Sequence, residues 1–136
     1  MKNTKNYTTN AHSKHKLLIH IVFVTKYRKK ILGKLTNPIK SAILQVCHER
    51  KCSLIAYEHD NDHIHILVEY PPKHNISFLV KLFKQRTTYD SWQYDEKYMR
   101  TNYWNGRHIL WSNGYFACSV GDANTETIKK YIENQG

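Results

Sequence analysis

The first 48 residues contain no aspartate and no glutamate, yet they hold ten of the 21 lysines and arginines. The rest of the chain sets eleven acids against eleven bases, so the whole formal net charge of +10 resides in the first third. A field of that sign draws in polyanions and gains from the counterions they release. Nucleic acid is the expected partner. An anionic membrane surface competes for that role, but the basic stretch lacks the long amphipathic helix with aromatic anchors that such a surface needs. Long apolar runs are missing too. None approaches the ~20 residues of a membrane span, and no basic segment followed by an apolar one of secretory type is present. The expectation is a soluble, cytoplasmic protein with no membrane partner.

Cysteine is scarce. Cys47, Cys52 and Cys118 are odd in number and form no C-x-x-C pair. That argues against a zinc cage or a disulfide framework, and for small buried side chains in a reducing compartment. A glycine-rich phosphate loop, a Ser-His-Asp set and an H-E-x-x-H motif are absent in usable form. Without a phosphate loop, an ATP-driven reaction and a nucleotide cofactor are not expected. A length of 136 residues suits a single domain spanning 1–136. Its first 13 residues read as a flexible basic arm.

What is present falls into seven elements. His15 to Tyr27 is a buried strand, dense in Leu, Ile, Val and Phe. Gly33 and Pro38 punctuate a turn, with Asn37 as N-cap of a helix from Pro38 to Lys51. Cys52 to Glu58 and His63 to Tyr70 form a hairpin around Asp60-Asn61-Asp62. Asn75 or Ser77 caps a second helix running to about Trp92. Gln93 to Gly114 reads as irregular and polar. Tyr115 to Val120 is a strand, Gly121-Asp122 a turn, and Asn124 the cap of a last helix from Thr125 to Gln135, docked by Ile128 and Ile132. The order β-α-β-β-α-β-α predicts an α+β fold. Its first six elements have the ferredoxin-like split βαβ pattern: an antiparallel sheet with helices on one face, plus an extra C-terminal helix.

Three groups of residues carry potential chemistry. His63 and His65 are two apart on a strand, so they share a face with Leu67 and Glu69, while Ile64, Ile66, Val68 and Tyr70 cover the helices. Paired imidazoles on a rigid strand can hold a divalent metal, or can be ordinary surface histidines. Tyr131 and Gln135, four apart, lie on one face of the last helix. By spacing alone Tyr131 reads as a half-buried helix tyrosine. Lys26, Tyr27, Arg28, Lys29 and Lys30 surround an aromatic ring with bases, a pattern that grips phosphates and stacks a base, or a solvated loop. Lys81, Lys84 and Arg86 extend the basic surface or solvate a helix. Asp60 and Asp62 read first as turn formers and second as groups that orient an imidazole.

Three blocks resemble a known family: IHIVFVTKYRKKIL at residues 19–32, DHIHILVEYPP at 62–72, and LWSNGYFACSVGDANTETIKKYIENQ at 110–135. Together they resemble the TnpA-type transposases of bacterial insertion sequences, single-tyrosine members of the HUH (His-hydrophobic-His) nuclease superfamily. The resemblance runs from about residue 15 to 135. It implies His63, His65 and Gln135 as ligands of Mg²⁺ or Mn²⁺, and Tyr131 as the nucleophile. Cleavage and strand transfer would pass through a 5′-phosphotyrosine on single-stranded DNA, at hairpins marking element ends, in a homodimer. Lys26 to Lys30, Lys84 and Arg86 are the expected DNA contacts. Asn61, Gln85 and the run Arg86-Thr87-Thr88 depart from the family's usual residues.

Two other classes compete. A non-catalytic nucleic-acid-binding module of similar fold explains charge and topology, but not the coincidence of two histidines, a tyrosine and a glutamine. A phosphoesterase using histidines as acid and base typically needs a second histidine motif, which is missing.

Overall fold

The leading apolar run forms strand β1 (Leu17–Val24) in the computed structural model, which describes residues 16–119 and 125–135. It is followed by α1 (Leu32–Glu49), β2 (Ser53–His59), β3 (His63–Tyr70), α2 (Ile76–Tyr94), α3 (Glu96–Asn102), β4 (Phe116–Ser119) and α4 (Thr125–Asn134). The strands lie in the order β2-β3-β1-β4, and each neighbouring pair is antiparallel. The chain thus adopts the expected α+β arrangement around an antiparallel sheet. The arm over residues 1–13, the turn at Gly121-Asp122, the Asn124 cap and the docking side chain of Ile128 lie outside what is described.

Alternation in the strands decides where the core sits. Ile19, Ile21 and Phe23 of β1 and Ile64, Ile66 and Val68 of β3 form one buried cluster with Leu35, Ile39 and Ile43 of α1 and Leu79 and Phe83 of α2. Each such side chain stabilises the fold by roughly 1.5–3 kcal/mol when fully buried. Asn75 is the cap that α2 uses: its Oδ1 accepts from the Phe78 N–H at 2.8 Å. Cys47 and Cys52 are buried free thiols, and burial with the nearby Cys52 pushes the Cys47 thiol up to about 12. Among the described residues no helix is long and apolar enough to cross a membrane.

Two elements differ from the expectation. The first helix begins at Leu32, so Gly33 is helical, Asn37 is no cap, and Pro38 sits inside the helix. An interior proline costs about 3 kcal/mol. The added turns bury Leu32 and Leu35 completely, and that burial offsets the cost. The segment expected to be irregular contains α3. Asp95 caps it by accepting from Tyr98 N–H at 3.0 Å, while Met99 and Tyr103 are buried. Polar composition hid a short helix that is held by two side chains rather than by a full apolar stripe.

Candidate functional site

The site grows from the alternation of β3. His63, His65, Leu67 and Glu69 are half-buried on the face turned away from α1 and α2, whereas Ile64, Ile66, Val68 and Tyr70 are buried beneath the helices. The turn before β3 is held by Asp60, whose Oδ1 accepts from Asn61 N–H at 2.7 Å. Asp62 ties that turn to the end of β1, its carbonyl accepting from Thr25 N–H at 2.9 Å.

Asp62 is more than a turn former. Its Oδ1 lies 2.9 Å from His63 Nδ1, and its Oδ2 accepts from Arg28 Nε at 3.1 Å. Burial would raise the Asp62 carboxyl, but the hydrogen bonds and charge of His63 and Arg28 outweigh it and hold the group below its ordinary value. An ionised carboxylate can only accept, so the proton of a neutral His63 resides on Nδ1 and Nε2 keeps its lone pair. This is the arrangement by which a carboxylate orients a metal-binding imidazole. Arg28 reaches Asp62 because the chain turns sharply: Tyr27 and Arg28 have φ of 61° and 51°. Left-handed residues of this kind persist only where surroundings hold them. Here Thr25 Oγ1 donates to the Lys29 carbonyl at 2.8 Å and Arg28 N–H to the Thr25 carbonyl at 2.9 Å.

His65 has a partner that sequence reasoning missed. His20 Nδ1 lies 3.0 Å from His65 Nε2, and one proton must sit between the two nitrogens. The register explains the meeting: Val22 pairs with His65 and His20 with Leu67, so the two rings are diagonal neighbours on one face. The signal was available, since His20 is the single polar residue of LLIHIVFV. Burial, then His20, push the His65 imidazole below its ordinary value, against the opposing pull of Glu58. A cleft of about 230 Å³ opens here, lined by Glu58, His59, Asp60, His63 and His65.

Helix α4 lies on this same face. Phe116 pairs with Val22, which pairs with His65, so the three share one row across the sheet. The Tyr131 ring packs on Phe116 with centroids 5.7 Å apart. The Tyr131 hydroxyl is buried without a hydrogen-bond partner and faces Gly114. Burial raises this phenol above its ordinary value. A parallel row holds Gln135. His63 pairs with Val24, whose carbonyl accepts from Ser112 N–H at 2.8 Å, and Ser112 Oγ donates to Gln135 Oε1 at 3.1 Å. The first row places Tyr131 over the strand two away from His65, roughly 10 Å at interstrand spacing, and the second places Gln135 on the segment leading to that strand. Gln135 follows the last helical turn, its N–H bonded to the Ile132 carbonyl at 3.2 Å. Among the described residues no three His, Cys, Asp or Glu side chains converge as a metal cage.

The expected DNA contacts are dispersed. Tyr27 and Lys30 are exposed, while the Lys26 and Lys29 ammonium groups lie 5.5 and 5.2 Å from the Tyr27 and Trp104 ring centres. Arg28 is bonded to Asp62. Arg86 joins α2 to α1 through Glu49 at 2.9 and 3.2 Å. Lys84 donates to the Ser112 and Gly114 carbonyls at 3.0 and 2.6 Å.

Known proteins resemble this chain in sequence and in fold. A family model described as "Transposase IS200 like" matches residues 13–135. The transposase for insertion sequence element IS200 of Salmonella typhimurium strain LT2 is 30% identical over 128 residues, 92% of this chain and 80% of the relative. Its counterpart from Salmonella typhi matches to the same extent. Among solved structures, a protein of Deinococcus radiodurans R1 provisionally assigned as a transposase superposes with a TM-score of 0.79 at 25% identity, covering 98% of this chain and 97% of its own. A REP-associated tyrosine transposase bound to a REP hairpin shares the fold at a TM-score of 0.56 and 15% identity, covering 98% and 69%. This chain, matched by the family model over residues 13–135 and 30% identical to the Salmonella typhimurium relative over 92% of its length, belongs to the IS200-like transposase family.

Proposed function

We propose that the chain cuts and rejoins single-stranded DNA with Tyr131 as nucleophile and with His63, His65 and Gln135 as ligands of a divalent ion, Mg²⁺ or Mn²⁺. The observation that carries this reading is the placement of α4: Tyr131 and Gln135 lie over the sheet rows that contain His65 and His63. The donor set fits a divalent ion. Asp62 leaves His63 Nε2 free, the His20 contact at Nε2 leaves His65 its Nδ1, and a glutamine amide adds an oxygen suited to Mg²⁺ or Mn²⁺. When bound, such an ion supplies Lewis-acid polarisation of the scissile phosphate.

The chain's own residues do the rest. Arg28 and Asp62 fix the His63 ring, and His20 fixes that of His65. Tyr131 and Gln135 must leave Gly114 and Ser112 before they meet substrate, and leaving an apolar pocket also makes the phenol easier to ionise. The Tyr131 oxygen then attacks phosphorus, the bond to the 3′ oxygen breaks, and that oxygen takes a proton. A 5′-phosphotyrosine and a free 3′-hydroxyl result. A second 3′-hydroxyl attacks the phosphotyrosine, releasing the phenol. One phosphodiester is exchanged for another, so ATP is not consumed. Hairpin-bearing DNA at element ends is the substrate we assign, in a homodimer, and a neighbour of this fold was captured on a REP hairpin.

Incubation with Mn²⁺ and hairpin-bearing single-stranded DNA, followed by a denaturing gel, tests the reading. A covalent adduct is expected that vanishes with Tyr131→Phe. His63→Ala should abolish cleavage and leave hairpin binding intact. Cleavage that persists in Tyr131→Phe overturns the tyrosine mechanism, and tight binding without cleavage by the unaltered protein favours a binding module.

A further inference from the structure

A second cavity, of about 460 Å³, lies between α2 and the segment leading to β4, on the far side of residues 112–114 from α4. It is roomier than the cleft beside the histidines. Its walls are set by four hydrogen bonds that bind α2 to this segment. Trp92 Nε1 donates to the Ile109 carbonyl at 3.0 Å, Trp111 Nε1 to Thr87 Oγ1 at 2.8 Å, and Lys84 Nζ to the Ser112 and Gly114 carbonyls. These bonds join α2 to the segment beside the cavity.

Its lining combines three kinds of group. Two exposed rings face it: Tyr89, 64% exposed, and His108, which stacks on buried Trp92 with centroids 4.1 Å apart and planes within 9°. A lysine, Lys84, is part of the lining. Two carbonyls take two of the three Lys84 protons, and among the described residues no carboxylate pairs with it. Burial lowers the Lys84 ammonium below its ordinary value. Gln85, Thr88 and Asn113 add amide and hydroxyl groups, and no lining residue is acidic.

We infer that this cavity holds one unpaired nucleotide of the DNA strand: its base stacked between Tyr89 and His108, its phosphate on Lys84, its edge against Gln85, Thr88 or Asn113. Flat rings backed by a cation are how single strands are held without regard to sequence. The amide and hydroxyl groups add the means to prefer one base. The site is tied to the chemistry by a shared segment, the one leading to β4. Ser112 accepts from Lys84 through its carbonyl and holds Gln135 through its hydroxyl, so a phosphate drawn to Lys84 acts on the segment where Gln135 rests. This inference rests on the reading of the chain as an enzyme of single-stranded DNA.

The test uses the full chain and a fluorescent oligothymidylate of about 12 nucleotides at low salt. The unaltered protein should bind it, and Tyr89→Ala and His108→Ala should each weaken binding about tenfold. An otherwise identical strand of abasic residues should bind weakly to all three proteins alike. Photocrosslinking with 4-thiothymidine should label peptides containing Tyr89 or His108. Both side chains are exposed, but His108 also covers Trp92, so the thermal melt of each variant is compared with that of the unaltered protein alongside binding. Equal binding by the three proteins overturns the inference, as does labelling confined to other peptides or failure of the unaltered protein to bind. A change in particle mass by light scattering without a change in DNA binding also overturns it, assigning the groove to a second copy. The Tyr131 adduct is read separately, so the two readings fail independently.

Discussion

Replacing Asp62 by alanine removes both hydrogen bonds that lead from Arg28 to His63. The side chains are unequally shielded: 12% exposed for Asp62, 22% for His63 and 40% for Arg28. The bond to His63 is the better protected and contributes about 1.5 kcal/mol. The Arg28 pair is screened by water and contributes about 0.5 kcal/mol. Asp62→Ala should therefore cost about 2 kcal/mol, a fall of roughly 6 °C in Tm for a chain of this size. The pH dependence has a definite sign. The Asp62 pKa is lowered in the folded chain, so its stabilisation is present above the unfolded carboxyl value near ~4 and is lost as pH falls through the folded value. The gap between unaltered protein and variant should be full at neutral pH and should close in acid. The functional effect is larger in proportion. A freed His63 ring no longer presents Nε2, and Mn²⁺ affinity should fall about 10- to 100-fold, as removal of an orienting carboxylate generally causes. Calorimetric melting across pH and Mn²⁺ titration by electron paramagnetic resonance measure the two. A lower Tm with Mn²⁺ affinity unchanged within about twofold would refute the orienting role and leave Asp62 a structural residue only.

Two further outcomes follow from the same geometry. His20→Leu should weaken Mn²⁺ binding about tenfold, and His20→Asn, whose amide can occupy the place of Nδ1, should restore most of it. Equal affinity in both variants would show that the His20–His65 contact positions nothing. Pro38→Ala restores a donor to the Lys34 carbonyl inside α1 and should raise stability by about 1–2 kcal/mol after the greater freedom of the unfolded chain is counted; a denaturant melt showing a loss would mean that the helix already accommodates the ring.

The strands were legible because burial on one face imposes a period of two. His63–Tyr70 forms over the span expected, and His63 and His65 share its open face. The helix boundaries were less legible. Pro38 read locally as a start, yet the contacts that carry α1 back to Leu32 come from the distant core. The segment 93–114 read as irregular because α3 is short and is held by Met99 and Tyr103 rather than by a periodic stripe.

Within the site, sequence alone marked His63, His65, Tyr131 and Gln135, and the likeness of three blocks to one family joined them. Periodicity could place each pair on a face of its own element, but could not relate one element to another. Only the tertiary structure decided that α4 comes to lie on the histidine face, with Tyr131 against Gly114 and Gln135 on Ser112. It also fixed partners that the sequence left open. Arg28, read as a DNA contact, anchors Asp62; Asp62, read first as a turn former and second as a group orienting an imidazole, meets His63; His20, passed over in an apolar strand, meets His65. The physical reason is common to all three. A strand's period fixes which face a side chain takes, whereas its partner depends on which strand lies beside it and in what register, and that is set by long-range pairing.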